Sequence, residues 1–145
     1  MNADDVEIVR IVPGNADMVN DVADDVFDDP IDPERLGAFV GSDGHLLFVA
    51  LRNGIVIGQV QGSIQLHVDD DPQLYIDNLG VRPAHQRNGY ATRLIDAIVA
   101  EGRRRGCGQA WIVTEPDNDA ANALYAAIGS VRSGVAMYSL LIWQP

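Results

Sequence analysis

Lysine is absent from this 145-residue chain: all ten basic residues are arginines, set against 21 Asp and Glu, for a formal net charge of −11. Duplex nucleic acid is held by a positive face that displaces counterions, so nucleic acid is disfavoured as a partner. One cysteine, Cys107, leaves no internal disulfide and no cysteine-built metal site, and it reads as a small residue leading into a strand. His45, His67 and His85 fall at no metal-ligand spacing, so no metal is expected. No apolar run approaches the ~20 residues of a membrane span. The residues after Met1, Asn2-Ala3-Asp4-Asp5, are neither basic nor apolar, so a cytoplasmic protein without membrane contact is expected. Repeats are missing, and the Asp clusters are the sole compositional bias.

What is present suits a globular enzyme-sized unit. Hydrophobic residues make up 47% of the chain, enough for a real core, and one domain over residues 1–145 is expected. Residues 1–80 carry 16 Asp and Glu against three Arg, a net of −13, while residues 81–145 carry five against seven, a net of +2. The acidic half suits a cationic partner and the locally basic half suits phosphates. An Asp-rich, Lys-free bias with no ligand behind it would produce the same split.

The segment Leu79-Gly80-Val81-Arg82-Pro83-Ala84-His85-Gln86-Arg87-Asn88-Gly89-Tyr90-Ala91 reads as strand, glycine-bearing loop and helix start. A helix start leaves its first N–H groups unpaired at the positive end of the dipole, which suits a phosphate. Gly89 allows a sharp turn and close approach of an oxygen. After it, Ala91, Leu94, Ile95, Ile98 and Gly102 recur at helical spacing. Arg103-Arg104-Arg105-Gly106 then complements and caps the helix end. Before it, Leu74 to Val81 reads as a strand ended by Pro83.

Elsewhere, Val6 to Val12 reads as a first strand. A helix capped by Asn15 or Asp17 is predicted through Met18, Val19, Val22, Val26 and Phe27, with Asp21, Asp24, Asp25, Asp28 and Asp29 on its outer side and end. Pro33 to Val40 reads as a second helix. Leu46 to Leu51 and Ile55 to Leu66 flank Arg52-Asn53-Gly54, a strong hairpin signal. Ala110 to Thr114 is a further strand, and Val131 to Trp143 supplies two more, turning at Gly134.

The spacing Gln86-x-x-Gly89-x-Ala91 resembles the Q/R-x-x-G-x-G/A loop of the GCN5-related N-acetyltransferases (GNAT). The Leu79-Gly80-Val81 strand end upstream and Asn118-x-x-Ala121-x-x-Leu124-Tyr125-x-x-x-Gly129 downstream lie at that family's intervals. The resemblance implies a mixed α/β fold: a strand, two helices, three strands, a helix, a strand, a helix and two final strands, with the mixed sheet splayed between its fourth and fifth strands. A dinucleotide fold fits poorly, because G-x-G-x-x-G and a repeating βαβ unit are both missing.

It also implies acetyl-CoA as co-substrate, with no metal. The main chain of Leu79, Gly80 and Val81 would pair with the pantetheine as an added strand. The strand Trp111-Ile112-Val113 would form the other arm of the splay. N–H groups of Arg87, Asn88, Gly89, Tyr90 and Ala91 would hold the pyrophosphate, with side-chain donors from Gln86 and Arg87. Asn118 would bond the cofactor amides, Ala121 would leave room, and Tyr125, two turns on, would reach the sulfur. A phenol of pKa about 10 can protonate a departing thiolate whose acid has pKa about 8.5, which makes Tyr125 the general acid. The oxyanion would be met by main-chain N–H near Leu79 to Val81.

An alkylammonium must lose a proton before it attacks. Glu115 and Asp77 are the candidates, one as base and one as electrostatic anchor, Asp77 sharing a strand face with Tyr75, Leu79 and Val81 unless a bulge intervenes. Where the family usually has Phe or Tyr after its equivalent of Gly129, this chain has Ser130, which puts local packing in doubt.

Val26 to Pro30, Leu46 to Gly58, Tyr75 to Leu79 and Glu115 to Gly129 resemble the small gentamicin-type aminoglycoside 3-N-acetyltransferases. That branch implies a polycationic acceptor, acetylated at its 3-amino group and held by Asp28, Asp29, Asp77, Glu115 and Asp117. Another cationic amine, such as a polyamine or peptide terminus, is the nearest alternative, and a non-catalytic acetyl-CoA-binding module is an alternative of another class. Val135 to Trp143 would face a second subunit in a homodimer, although a central strand reads the same way.

Overall fold

A computed structural model describes residues 5–86 and 88–143, Ala84 through its backbone alone. The positions cluster into two compact units, one running to Val113 and the other from Thr114.

The first unit is built on a five-stranded sheet. Its strands are β1 (Glu7–Arg10), β2 (His45–Arg52), β3 (Ile55–Gln65), β4 (Gln73–Val81) and β5 (Gln109–Ile112), in spatial order β1-β2-β3-β4-β5. The first three junctions are antiparallel and β4–β5 is parallel, which makes the sheet mixed. The β2–β3 hairpin forms where Asn53-Gly54 foretells it: both residues are left-handed, with φ of 51° and 78°. Helix α1 (Pro33–Gly41) starts on Asp32, whose Oδ1 accepts the N–H groups of Glu34 and Arg35 at 2.8 and 3.1 Å.

Helix α2 (Tyr90–Arg104) crosses from β4 to β5 and packs on β2, β3 and β4 with Leu94, Ile95 and Ile98 buried. Its end is closed as the sequence implies, with Cys107 N–H donating to Gly102 O at 3.0 Å and Gly106 left-handed at φ 86°. Glu101, 9% exposed, is the buried acid of this helix. It is ion-paired to Arg104, with Arg10 and Arg105 each 3.8 Å away. A second core of Ile11, Val19, Val26, Leu47, Val49 and Val56 takes in Phe27, Leu36 and Phe39 from the segments before and within α1.

Two expectations fail. The helix expected from Asn15 or Asp17 to Phe27 is a short 3-10 turn, Pro13–Val19, followed by irregular chain to Asp32. Asn15 does not cap a helix: its side chain folds back, accepting Val12 N–H at 2.7 Å and donating to Arg10 O at 2.9 Å. The backbone beyond is committed to the sheet, Ala23 N–H donating to Val56 O and Val56 N–H to Asp21 O, each at 2.9 Å. The two strands expected between Val131 and Trp143 do not form, nor does the turn at Gly134; residues 131–143 have no helix or strand and are exposed. A strand needs a partner edge for its backbone groups, and periodicity alone cannot supply one.

The second unit contains helix α3 (Asp119–Ala127), capped by Asn118, whose Oδ1 accepts Ala121 N–H at 3.1 Å.

Candidate active site

The loop between β4 and α2 is held from behind. Arg82 N–H donates to Ile57 O at 2.8 Å, a 3-10 turn covers Pro83–His85, and Gln86 Nε2 donates to Val81 O at 3.0 Å. Part of the donor capacity expected of Gln86 is therefore spent on the loop itself. Asn88 Nδ2 reaches His85 O at 3.3 Å. Arg87 lies outside the described residues.

His85 Nε2 sits 3.0 Å from Arg52 Nη1 beside a cavity of about 230 Å³ at the hairpin tip. Burial first, then the charges of Arg52 and Arg82, push the His85 pKa down, which keeps the ring neutral as an acceptor.

Gly89 is the N-cap of α2 with φ 80° and ψ 5°, and no side chain caps the helix. Arg93 N–H donating to Gly89 O at 3.1 Å is the first rung, so the N–H groups of Tyr90, Ala91 and Thr92 precede the ladder. With no acid in the first turn, the positive end of α2 is open to an anion.

The strand leading into this loop is half-bare. β4 pairs with β5 from Gln73↔Gln109 to Ile76↔Ile112, and among the described residues Asp77 to Val81 have no strand on that side. An extended chain of amides can add there as a strand. Directly after it comes the uncapped helix start, whose N–H groups are of the kind that suits phosphate oxygens. These two features fit the pantetheine and the pyrophosphate of coenzyme A in the order in which that molecule carries them.

A bulge breaks the face that Asp77 was expected to share. Ile76 faces Gly62 and Asn78 faces Gln61, so Asp77 is the extra residue. Val81 is consequently buried along with Leu74 and Ile76, and Asn78 turns toward Gln59. Asp77 itself is exposed at the point where pairing with β5 stops. Burial, followed by the charge of the nearby Asp77 carboxylate, raises the pKa of the Tyr75 phenol.

Gly80 meets protein on one side: Val26 O occupies the space that a Cβ would need. Gln59, fully buried, braces this contact, its Nε2 reaching Asn78 Oδ1 at 2.6 Å and Val26 O at 3.2 Å. Gln61 Nε2 donates to Gln59 Oε1 at 3.1 Å. Gln59 went unnoticed in the sequence, where its one signal is an amide amid the apolar run Ile55-Val56-Ile57-Gly58-Gln59-Val60. The irregular segment held by this clamp walls a concavity of about 520 Å³. Its floor includes Val22, Phe27, Ile31 and Leu36, and its acids are Asp24, Asp25, Asp28 and Asp29. Asp28 and Asp29 thus lie together on its wall.

In the second unit, Glu115, Asp117 and Asn118 are exposed on the approach to α3, and Ala121 and Tyr125 are half-buried on it. The Asn118 oxygen is used in capping, which leaves its Nδ2 as the donor for a ligand. Asn122 Nδ2 ties the approach down, reaching Glu115 O at 3.2 Å and Asn118 O at 2.8 Å. Burial raises the Tyr125 pKa, so the phenol stays protonated and can serve as an acid. Ser130, where an aromatic residue was the family expectation, donates its hydroxyl to Tyr125 O and closes the helix.

Among the described residues no helix is long and apolar enough to cross a membrane, and no group of three or more His, Cys, Asp or Glu could hold a metal ion.

Aminoglycoside N(6')-acetyltransferase type 1 of Salmonella typhimurium is 28% identical over 86 residues, 57% of this chain and 59% of its own. This chain therefore spans about three fifths of that relative's length. N-alpha-acetyltransferase RimI of Mycobacterium tuberculosis is 30% identical over 110 residues, 76% of this chain and 67% of its own. A crystal structure of an aminoglycoside acetyltransferase from an uncultured soil metagenomic sample shares the fold at a TM-score of 0.81 and 20% identity, covering 96% of this chain and 99% of the other. The profile described as Acetyltransferase (GNAT) family matches residues 16–129, and with that match this chain belongs to the GNAT family of acetyltransferases.

Proposed function

We propose that the chain transfers the acetyl group of acetyl-CoA to a primary amine of an aminoglycoside, by direct attack within a ternary complex. The observation that carries this reading is the run of β4 past its last pair with β5 into the uncapped, Gly89-led start of α2. On this reading Leu79, Gly80 and Val81 pair with the pantetheine. The N–H groups of Arg87, Asn88, Gly89, Tyr90 and Ala91 take the pyrophosphate, while Asn118 and Ala121 flank the arm.

The amine nitrogen attacks the thioester carbonyl, a C–N bond forms, and the carbonyl oxygen becomes an oxyanion held by main-chain N–H near Leu79 to Val81. Collapse breaks the C–S bond, and the thiolate takes the Tyr125 hydroxyl proton. The proton that the ammonium sheds before attack goes to Asp77, directly or through water, and the second proton, shed by the nitrogen once the C–N bond has formed, restores the Tyr125 hydroxyl through water. The bulge favours Asp77 over Glu115 for this step, because bulges re-aim side chains beside reacting centres. Glu115 and Asp117 then act as anchors for the cationic acceptor.

The acid-lined concavity with Asp28 and Asp29 supports a polycationic acceptor, and the Salmonella relative's name supports the 6'-amino group as the position. Acetylation at the 3-amino group remains the reading that the sequence resemblance favours. A second reading, acetylation of a protein's N-terminal amine, is favoured by the likeness to RimI. Thiol release from acetyl-CoA, followed with gentamicin, kanamycin, spermidine and short peptides, tests all of these. Turnover with an aminoglycoside is expected, with the acetylated nitrogen assigned by NMR of the product. Turnover with peptides alone overturns the first reading in favour of the second, and no release with any amine overturns both.

A further inference from the structure

The bulge of β4 sets a hydrogen-bond donor beside the acid assigned to the proton. Leu74 packs against Gly102 of α2 and Ile76 is buried with it, so Tyr75, between them, stands on the opposite face of the sheet. The charge of Asp77 reaches Tyr75 there. Asn78 points to that face as well, where it meets Gln59, whose same nitrogen holds the Val26 carbonyl. Regular alternation would send Asp77 and Asn78 to opposite faces, and the extra residue at the bulge puts them side by side on one.

The orientation of the Asn78 amide follows from its partners. The Val26 carbonyl can only accept, so the Gln59 atom facing it is Nε2, while Gln59 Oε1 accepts from Gln61 at 3.1 Å. That Nε2 spends its two hydrogens on Val26 O at 3.2 Å and Asn78 Oδ1 at 2.6 Å, which turns the Asn78 oxygen inward and its Nδ2 outward. Gln59 is fully buried, so flipping any one of these amides would set two donors or two acceptors face to face. Asn78 is half-buried, and its Nδ2 has no partner among the described residues and is not enclosed by them. An aspartate at 78 would accept from Gln59 equally well, so the clamp does not need the amide; what asparagine adds is a neutral donor next to Asp77. Carboxylates alone attract any polycation, whereas a donor selects ligands that carry an oxygen.

We propose that Asn78 is a specificity-determining residue: its Nδ2 donates to a hydroxyl or ether oxygen beside the reacting amine of an aminoglycoside, and so separates amino sugars from oxygen-free polyamines. The inference rests on the aminoglycoside reading above and extends it from charge to hydrogen bonding.

Titration calorimetry of the CoA-bound chain with kanamycin and with spermidine tests this, together with NMR of the Asn78 side-chain amide, assigned by its loss in Asn78→Asp. Kanamycin is expected to shift that amide and spermidine to leave it in place. Asn78→Ala should weaken kanamycin binding about fivefold or more and leave spermidine within about twofold. Asn78→Asp, which keeps an acceptor for Gln59, should move the kanamycin-to-spermidine affinity ratio about fivefold or more toward spermidine. Equal losses for both ligands, an unchanged ratio in Asn78→Asp, or an amide that kanamycin leaves unmoved overturns the proposal. Should Asn78→Ala fail to fold, the ratio in Asn78→Asp and the amide shift decide. Thiol release separates this inference from the reading beneath it: turnover of kanamycin with an unchanged ratio overturns the role of Asn78 alone, whereas neither binding nor turnover of kanamycin overturns both.

Discussion

The carbonyl oxygen of Val26 rests against Gly80, in the space where any other residue would carry its Cβ. That contact joins the irregular acidic segment to the strand proposed to bind the cofactor, and Gln59 fixes it from beneath.

Gly80→Ala should therefore cost about 2–3 kcal/mol of stability in urea denaturation, since backbone has to move to admit one methyl group. Gln59→Leu should cost about 1–3 kcal/mol, because Asn78 Oδ1 and Val26 O both lose their donor. With the acidic segment loosened, the KM for a cationic acceptor should rise more than that for acetyl-CoA.

Gly89→Ala should behave differently. No protein atom lies within 4 Å of the added Cβ, but φ of 80° is a left-handed conformation, costing about 1–2 kcal/mol for an alanine. Relaxing that strain turns the first N–H groups of α2 away from the phosphates. Titration calorimetry should show acetyl-CoA affinity reduced about tenfold or more, and urea unfolding should show a loss of about 1–2 kcal/mol.

Glu101 ties stability to pH. Its hydrogen bond to Arg104 and the charges of Arg104, Arg10 and Arg105 hold its pKa below the usual carboxylate value, against the opposing effect of burial. A lowered folded-state pKa gives stabilisation that is complete above the unfolded value near 4.5 and is lost as pH falls through the folded value. Glu101→Gln should destabilise by about 2 kcal/mol at pH 7. The gap from the unaltered chain should close as unfolding is measured below pH 4.5.

For the chemistry, Tyr125→Phe should lower kcat about a hundredfold or more with little change in the KM for acetyl-CoA, because the hydroxyl acts when the thiolate leaves. Asp77→Asn should reduce kcat, and Glu115→Gln should chiefly raise the acceptor KM. Steady-state kinetics showing the reverse pattern would exchange the two roles.

Much of the frame was readable before the fold. The Asn53-Gly54 hairpin, the helix α1 begun at Pro33 and the Gly89-led α2 each depend on contacts within a few residues. Asn15 misled because the same side chain that can cap a helix can also satisfy the strand before it. Asp77 was legible as a candidate, but its bulge depends on β3, a strand that sits more than ten residues away in the chain.

Sequence by itself determined where backbone donors are left free: a glycine at a helix start and a strand broken by proline are local facts, set by sterics within one turn. Tertiary structure alone decided what stands opposite them, namely Val26 over Gly80, Gln59 beneath both, and Asp77 at a strand's splaying point. Those pairings join residues 19 to 54 positions apart, and their geometry comes from sheet register and close packing, which no short stretch of sequence encodes.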